Sequence, residues 1–327
     1  MKRGIALIGC GALIALAVAA PAQAAFPGKP GPIAFPMLTA SEMRDAGGLY
    51  THGPRRRQGI RELTSERRDS QPAYSADGRM IAFSGNRDPL LGLPSSATHI
   101  YLMRADGSGV VQLTFGDFND SNPSFSPDGS RLAFDRAPVG NSREAGIFTI
   151  KVDGRGLQQQ TDGVGRDSDP TYTPNGRRIV FVSDREPDGR RDRSDIFIMT
   201  HAGRRVSLLI DGPRSEFDPD VSPNGRRIAF ASNRRRGPNV FVAKSNGRRV
   251  RQLTYSRGDC FKSVCYTDPS WSPSGRHIAF LGERRYLTDL LVMRADGRNR
   301  QSFAGAGRDA EGYGTEIGAP AWGPRPR

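Results

Sequence analysis

Residues 123–129 read Pro-Ser-Phe-Ser-Pro-Asp-Gly, and this short segment indicates the fold because copies of it recur along the chain. A shortened sixth copy, Pro-Ala-Trp-Gly-Pro, occupies residues 320–324. The leading prolines of successive copies are 47 to 51 residues apart and stand at Pro72, Pro123, Pro170, Pro219, Pro269 and Pro320. Self-similarity at a fixed period of this length is typical of propellers and other repeat architectures.

Each copy predicts four short strands. The Pro-Asp-Gly step predicts a tight turn, because proline presets φ and glycine accepts the positive φ that other residues resist. A β-rich run such as Ile179-Val180-Phe181 follows, and after a variable loop comes a third strand, as at residues 196–199. A second glycine turn leads to a fourth strand, as at residues 111–114. Each copy is therefore a four-stranded antiparallel meander.

The two ends of the chain predict how these sheets are arranged. Residues 33–35, 49–51 and 61–64 match the second, third and fourth strands of a copy, and residues 320–322 supply the missing first strand. We therefore predict an all-β fold, a six-bladed β-propeller with four antiparallel strands per blade, closed by N- and C-terminal strands that share one blade. An open β-solenoid is the competing architecture, but it does not explain the missing strand.

Composition excludes several other classes of protein. The 327 residues are 36% hydrophobic, which suffices for a buried core, and 39 glycines with 24 prolines argue against long helices. After residue 25 no apolar run approaches the roughly 20 residues of a membrane-spanning helix. Three cysteines are too few for a disulfide framework. The net charge of +14 favours anionic surfaces without by itself indicating nucleic acid.

The first 24 residues predict export. A basic start, an apolar run and the small-x-small sequence Ala22-Gln23-Ala24 are typical of a signal peptide, which gives a mature propeller domain over residues 25–327. We expect a periplasmic or extracellular protein; the alternative is an uncleaved anchor helix. In an oxidising compartment, Cys260 and Cys265 predict a local disulfide that stiffens its loop, with two unpaired thiols as the alternative.

The repeat resembles the TolB-like propeller family, a relative of the WD-repeat blades. The shared pattern is a proline, an aromatic residue, Ser-Pro-Asp-Gly, Ile-Ala-Phe, a strand ending in Met, Asp-Gly and Leu-Thr, and it extends from about residue 31 to residue 324. The resemblance implies the propeller fold. It does not transfer the Tol role, because the family's periplasmic binding protein has an N-terminal α/β domain for which this sequence has no room before its first blade.

No catalytic residues are predicted. The histidines, His52, His99, His201 and His277, do not fall at metal-ligand spacing, and neither an H-E-x-x-H motif nor a G-x-S-x-G nucleophile elbow occurs. The sequence therefore gives no support for serine, cysteine or zinc-dependent catalysis.

Carboxylates recur at two positions ahead of the signature proline. Because strands one and three of a blade begin on the same face, these residues should lie near one mouth of the channel. They could bind a cation such as calcium or the basic side chains of a peptide, or each could cap its own loop. The candidate ligand-binding residues are Asp69, Asp120, Asp167 and Glu216, three residues before the proline, and Asp268, one residue before it, where Asp169 and Asp218 also stand.

Departures from the repeat are the other candidate sites. The loop over residues 255–268 has 14 residues, where its counterparts have seven or eight, and the glycine-rich segment 304–319 carries Asp309, Glu311, Tyr313 and Glu316. The loops between second and third strands are rich in arginine, which indicates either a solvated face or an anionic partner. These arginines are Arg185, Arg190, Arg191, Arg193, Arg234, Arg235, Arg236, Arg284 and Arg285.

Together these observations predict an exported, monomeric, non-catalytic scaffold that binds a protein or cell-envelope ligand through its loop-rich rim. No cofactor is required by this interpretation, although calcium remains an option. Nucleic acid is not expected as a partner, nor is a membrane span after cleavage. The alternative is a propeller hydrolase or lactonase that uses the channel-mouth carboxylates and a metal such as calcium.

Overall fold

A computed structural model describes residues 25–39, 47–53, 59–66, 68–87, 97–185, 193–235, 237–261, 263–285, 287–304 and 315–326. The predicted signal peptide, residues 1–24, lies outside these residues. In the part of the chain that is described, no helix is long and apolar enough to cross a membrane.

The strands of the described residues form six antiparallel sheets, the blades, numbered here in chain order. Blade 1 combines β1 (Pro30–Thr39), β2 (Gly47–His52) and β3 (Ile60–Glu62) with β24 (Thr315–Ile317) and β25 (Ala321–Pro324) from the other end of the chain. Blade 2 consists of β4 (Ser70–Tyr74), β5 (Met80–Gly85), β6 (His99–Arg104) and β7 (Val111–Gln112). Blade 3 consists of β8 (Phe118–Phe125), β9 (Arg131–Pro138), β10 (Gly146–Lys151) and β11 (Gln158–Gln159), with a short 3-10 helix at Ser142–Glu144.

The last three blades repeat the same order of strands. Blade 4 consists of β12 (Asp167–Tyr172), β13 (Arg178–Ser183), β14 (Asp195–Thr200) and β15 (Ser207–Ile210). Blade 5 consists of β16 (Glu216–Val221), β17 (Arg227–Ser232), β18 (Asn239–Lys244) and β19 (Arg251–Gln252). Blade 6 consists of β20 (Cys265–Trp271), β21 (His277–Arg284), β22 (Leu287–Arg294) and β23 (Gln301–Ala304).

The predicted closure of the ring is confirmed in blade 1. β25 and β24 both pair antiparallel with β1, with Trp322 opposite Ile33. The Trp322 indole N–H also donates to the carbonyl of Gly31 at 3.1 Å. The first strands of neighbouring blades contact one another around the circle, from β25 through β4, β8, β12, β16 and β20 back to β25. The first strand of each blade is therefore the innermost, and the ring surrounds a central channel.

The repeated residues form the turns and the packing between blades. In blade 3 the Ser126 hydroxyl bonds to Asp128, and Gly129 takes a φ of +71° to complete the turn. In blade 5 a Cβ on Gly247, whose φ is +76°, would lie 1.8 Å from the Leu209 carbonyl oxygen of blade 4. This turn therefore requires glycine both for its backbone conformation and for close contact between blades.

The hydrophobic core lies between the blades. The phenylalanine of the second strand is fully buried in every blade, as Phe35, Phe83, Phe134, Phe181, Phe230 and Phe280. In blades 1, 2, 3 and 5 a threonine shortly after the fourth strand anchors the third strand of the same blade; for example, the Thr114 hydroxyl accepts the Ile100 N–H at 2.9 Å. The sequence pattern Ile-Ala-Phe and Leu-Thr is thus explained by burial and by backbone hydrogen bonding within one blade.

Candidate functional site

One face of the ring, here called the rim, carries two sets of loops. In an antiparallel four-stranded blade, the loop between the second and third strands and the loop that leads to the next blade emerge at the same end. The tight turns after the first and third strands lie on the opposite face. The rim is therefore where the variable loops collect, as the sequence predicts.

The four acids that stand three residues before the proline are buried inside their blades. Asp69, Asp120, Asp167 and Glu216 are each at most 2% exposed. Each pairs with an arginine of its own blade, and these pairs are Asp69–Arg87, Asp120–Arg136, Asp167–Arg185 and Glu216–Arg234. The Asp120 pair is bidentate, with N···O distances of 2.6 and 2.8 Å. These carboxylates face an internal arginine rather than an open channel mouth.

Each of these arginines also lies over a pair of aromatic rings. The Arg185 guanidinium carbon is 5.5 Å from the ring centre of Phe181 and 5.7 Å from that of Phe197. Arg87, Arg136 and Arg234 make the same contacts in their blades. Because a guanidinium can hydrogen-bond in its plane while its face covers aromatic rings, one arginine joins the acid to the blade core.

Burial and pairing act in opposite directions on these carboxyls. Burial raises the pKa values of Asp69, Asp167 and Glu216 above their ordinary range, despite the arginine beside each. For Asp120 burial also acts upward, but the hydrogen bonds from Arg136 hold its pKa below the ordinary range. The sequence signal for the partner was present, since an arginine stands four residues after the phenylalanine of Ile-Ala-Phe in blade 2.

A second set of polar residues connects the innermost strands. It stands one residue before the proline, where each residue adopts a φ between 51° and 60° at an irregularity of the first strand: Gln71, Asn122, Asp169, Asp218 and Asp268. The side chains of Gln71, Asn122 and Asp218 reach the next blade. Gln71 Oε1 accepts the Asn122 N–H at 3.1 Å, and Asp218 Oδ2 accepts the Asp268 N–H at 3.2 Å. We call these five residues the inner ring.

The inner ring brings carboxyls close together between blades 3 and 6. Asn122 Nδ2 donates to Asp169 at 2.7 Å and to Asp135 at 2.6 Å. Burial, followed by the charge of Asp169, raises the pKa of Asp135 well above its usual value, and burial raises the pKa of Asp169 to about 7. The pKa of Asp218 is raised chiefly by burial, next by the negative charge of Asp268 and then by that of Asp169. The sequence argument missed Asp135 because this residue follows the phenylalanine of a second strand.

Metal-ligand geometry is not found at these positions. Among the described residues, no group of three or more His, Cys, Asp or Glu side chains is arranged to hold a metal ion. His99 lies 3.9 Å from Asp120, His52 packs on Phe303 and His277 on Trp322. These histidines take part in separate local contacts.

The rim also carries exposed apolar side chains on the loops that lead from one blade to the next. Phe115 and Val164 are 65% and 58% exposed after blades 2 and 3. Tyr255 and Phe261 are 70% and 65% exposed in the long loop between blades 5 and 6. In this loop a disulfide joins Cys260 to Cys265, which is the first residue of β20. The disulfide therefore attaches Phe261 to the start of an inner strand.

The remaining predicted rim residues differ in their surroundings. Besides the pairs of Arg185 and Arg234 described above, Arg193 lies 3.6 Å from Asp195. Arg235, Arg284, Arg285 and Glu316 are exposed. The other candidates, Arg190, Arg191, Arg236, Asp309, Glu311 and Tyr313, lie outside the described residues.

The closed ring of six antiparallel blades, of which blade 1 combines strands from both ends of the chain, defines the chain as a β-propeller. The TolB beta propeller domain family matches residues 119–325, and the chain belongs to this family. Comparison with curated proteins finds no match.

Solved structures share this fold at low sequence identity. TolB from Acinetobacter baumannii is 23% identical with a TM-score of 0.73, over 90% of this chain and 67% of that one. A putative TolB from Agrobacterium tumefaciens is 17% identical with a TM-score of 0.63, over 91% and 100%. Hydrazine synthase from Kuenenia stuttgartiensis is 14% identical with a TM-score of 0.66, over 92% and 48%. These likenesses establish the propeller fold.

Proposed function

We propose that this protein is an exported, monomeric, non-catalytic scaffold that binds a protein or cell-envelope ligand through the rim. The carrying observation is that Phe115, Tyr255 and Phe261 are each about two-thirds exposed on loops of this one face. Solvent-exposed aromatic side chains are the groups that most often anchor a protein partner. Membership of the TolB propeller family supports a binding role and export to the periplasm.

The structure of the long loop supports its role as the main contact. Phe261 lies inside the loop that the Cys260–Cys265 disulfide closes, and Tyr255 precedes that loop, where Ser256 Oγ donates to the Gly258 carbonyl at 3.1 Å. A restrained loop loses less conformational entropy when it binds. Exposed Arg284 and Arg285 at the neighbouring edge of blade 6 favour a ligand with acidic groups.

The test is affinity capture from a cell-envelope extract, followed by mass spectrometry and measurement of Kd for the captured partner. We expect the double variant Y255A/F261A to weaken binding by at least tenfold, the loss that about 1.4 kcal/mol produces. The matched control is L157A/L208A, which removes two exposed leucines away from the rim. Leu157 lies in the turn between β10 and β11 on the opposite face, and Leu208 lies in β15, the outermost strand of blade 4. Equal binding by both double variants would contradict the proposal.

A catalytic propeller is the second candidate, and the carboxyl cluster around Asp169 is the observation that favours it. In this alternative the protein is a hydrolase or lactonase in which Asp135 and Asp169, both bonded to Asn122, act with a metal such as calcium. Stoichiometric calcium in the purified protein, together with ester or lactone hydrolysis that a chelator abolishes, would support this alternative over the scaffold.

A further inference from the structure

Residues 25–28 lie at the mouth of the channel opposite the rim, where Phe26 and Pro27 line a cavity together with residues of the turns that follow the first strands of blades 2 to 4. Ala25 and Phe26 are each 3% exposed. Phe26 packs with residues from the first strands of blades 2, 3 and 4, whereas Ala25 packs with residues of blades 5 and 6 that include Trp271. The Gly28 N–H donates to the Pro273 carbonyl at 3.1 Å. This segment, here called the N-terminal plug, therefore touches most of the ring from the inside.

Asp220, which contacts the plug, departs from its repeat. The residue after the signature proline is small or neutral in the other blades, where it is Ala73, Ser124, Thr171, Ser270 and Ala321. In blades 3 and 6, Ser124 and Ser270 use one oxygen to accept the N–H of the aromatic residue in the next blade, at 3.4 and 3.3 Å. Asp220 Oδ2 does the same with the Trp271 N–H at 2.6 Å. The repeat therefore explains one oxygen of Asp220 but not its second oxygen or its charge.

Asp220 is a buried acid, and no positively charged group of the described residues is among those that act on its carboxyl. The residue is fully buried, and its Oδ1 atom has no hydrogen-bond partner. Burial raises its pKa well above the ordinary value, and the groups that oppose this are backbone N–H donors of Trp271, Ala25 and Val221. A buried carboxylate that is hydrogen-bonded but not neutralised by a positive charge is costly.

The Ala25 nitrogen is the group that could supply this charge. Ala25 lies in the same buried cluster as Trp271, whose own N–H donates to Asp220, and the Ala25 backbone N–H acts on the Asp220 carboxyl as a donor that lowers its pKa. In a chain that still carries residues 1–24, this nitrogen is a neutral amide. If the peptide bond after Ala24 is hydrolysed, the same nitrogen becomes an α-amine that is protonated near neutral pH and has three donors.

We propose that cleavage after Ala24 converts Ala25 into an α-ammonium terminus that forms a buried ion pair with Asp220 and fixes the N-terminal plug in the channel. This inference rests on the export that is part of the proposed function. A leader peptidase of the host catalyses this hydrolysis, which consumes one water molecule. It leaves a carboxylate on Ala24 and the amine on Ala25, which takes up a proton. Processing and closure of this mouth are thereby coupled, and ligand binding is directed to the rim.

The test compares two full-length chains that are exported and processed in a bacterial host. One has the natural sequence, and the other has a single glycine inserted between Ala24 and Ala25, which moves the new ammonium one residue away from Asp220. Intact mass identifies each N-terminus. We expect the insertion to lower Tm by about 5 °C, as breaking a buried ion pair in a chain of this size should. In the D220N background, the insertion should change Tm by less than about 1 °C.

The matched control is D218N, which neutralises a buried carboxyl of the same strand that belongs to the inner ring. In that background the insertion should keep its full effect. If D220N does not fold, D220S, which installs the residue of blades 3 and 6, replaces it in the comparison. The rate at which an amine reagent labels Ala25 gives a second readout, which should be slow in the natural protein and faster in either Asp220 variant.

Three results would overturn the inference: an N-terminus other than Ala25, an insertion without effect on Tm, or an equal effect in the Asp220 variants. Failure of the proposed function is distinguishable, because rim binding is measured with Y255A/F261A and those residues lie on the opposite face from the plug. Loss of rim binding together with an intact Asp220 coupling would reject the scaffold role and retain the ion pair.

Discussion

Blades 2 to 5 and blade 6 solve the same packing problem with different residues. In blade 4, Asp167 of the first strand bonds to Arg185, which follows the second strand, and this arginine covers the rings of Phe181 and Phe197. In blade 6, Tyr266 stands where the acid would be, and its ring lies 5.9 Å from that of Phe280. Leu291 stands opposite Phe280 in place of the second aromatic residue. One tyrosine ring thus replaces the buried ion pair and its aromatic partner.

This difference separates residues that serve the blade from residues that can serve a ligand. The periodic acids are internal because each blade needs its own arginine-centred pair. Blade 6 dispenses with the pair, and the arginine four residues after its phenylalanine, Arg284, is exposed. The loop that enters blade 6 is also the longest of its described counterparts and carries Phe261. Departure from the repeat therefore coincides with the surface that we propose for binding.

The largest expected effect comes from breaking the repeated ion pair. D120A removes a fully buried carboxylate and leaves Arg136, which is 6% exposed, without its partner. We expect the free energy of unfolding to fall by about 3–5 kcal/mol, as for other buried pairs that lose one member. Urea unfolding followed by circular dichroism measures this change. The control is D117A, on an exposed residue immediately before β8, which should cost less than about 0.5 kcal/mol.

An intermediate effect is expected when blade 6 receives the acid of the other blades. Y266D places a carboxylate in a site that is 6% exposed and removes the contacts with Phe280 and Arg300. We expect a loss of about 2–3 kcal/mol in the free energy of unfolding, because the new carboxylate has no buried arginine. Y266F, which retains the ring, should lie within about 0.5 kcal/mol of the natural protein. If Y266D left the free energy of unfolding unchanged, Arg284 would have to turn inward and rebuild the ion pair.

The smallest effect concerns the inner ring, where blade 3 has Asn122 and blade 4 has Asp169. D169N makes blade 4 resemble blade 3 and keeps an oxygen that can accept from Asn122. Since the folded-state pKa of Asp169 is about 7 and an unfolded aspartate titrates near 3.9, its ionisation opposes folding as pH rises through this window. D169N should therefore stabilise the protein by about 1–2 kcal/mol at pH 8 and hardly change it at pH 4.

Unfolding measured across this pH range checks the sign. A benefit of D169N that appeared at pH 4 and vanished at pH 8 would contradict the assignment of a raised pKa. D117A, whose carboxyl is exposed, provides the reference for the effect of removing one negative charge from the rim.

Sequence periodicity was sufficient for the architecture. The spacing of Pro72, Pro123 and their counterparts predicts the number of blades, and the strand at residues 320–322 predicts the closure that pairs Trp322 with Ile33. These inferences succeed because turn chemistry and alternation of burial are local properties that each copy repeats. The same argument placed the variable loops on one face, since strand direction alone determines where loops emerge.

The tertiary structure decided which of the predicted acids are covered. Asp120 and Arg136 are 16 residues apart, and their pairing depends on how a first strand lies against the end of a second. Asp135 joins the inner ring through Asn122 and Asp169 of two different blades. Ala25 packs in one buried cluster with Ala229 and Val240, about 200 positions away in sequence, because the ring brings the first described residues back to blade 5. The sequence by itself determined the blades and their order, since both follow from short-range patterns. The partners of the charges were settled by the folded blades and by their assembly into the ring, because burial and contacts between distant residues exist only in the tertiary structure.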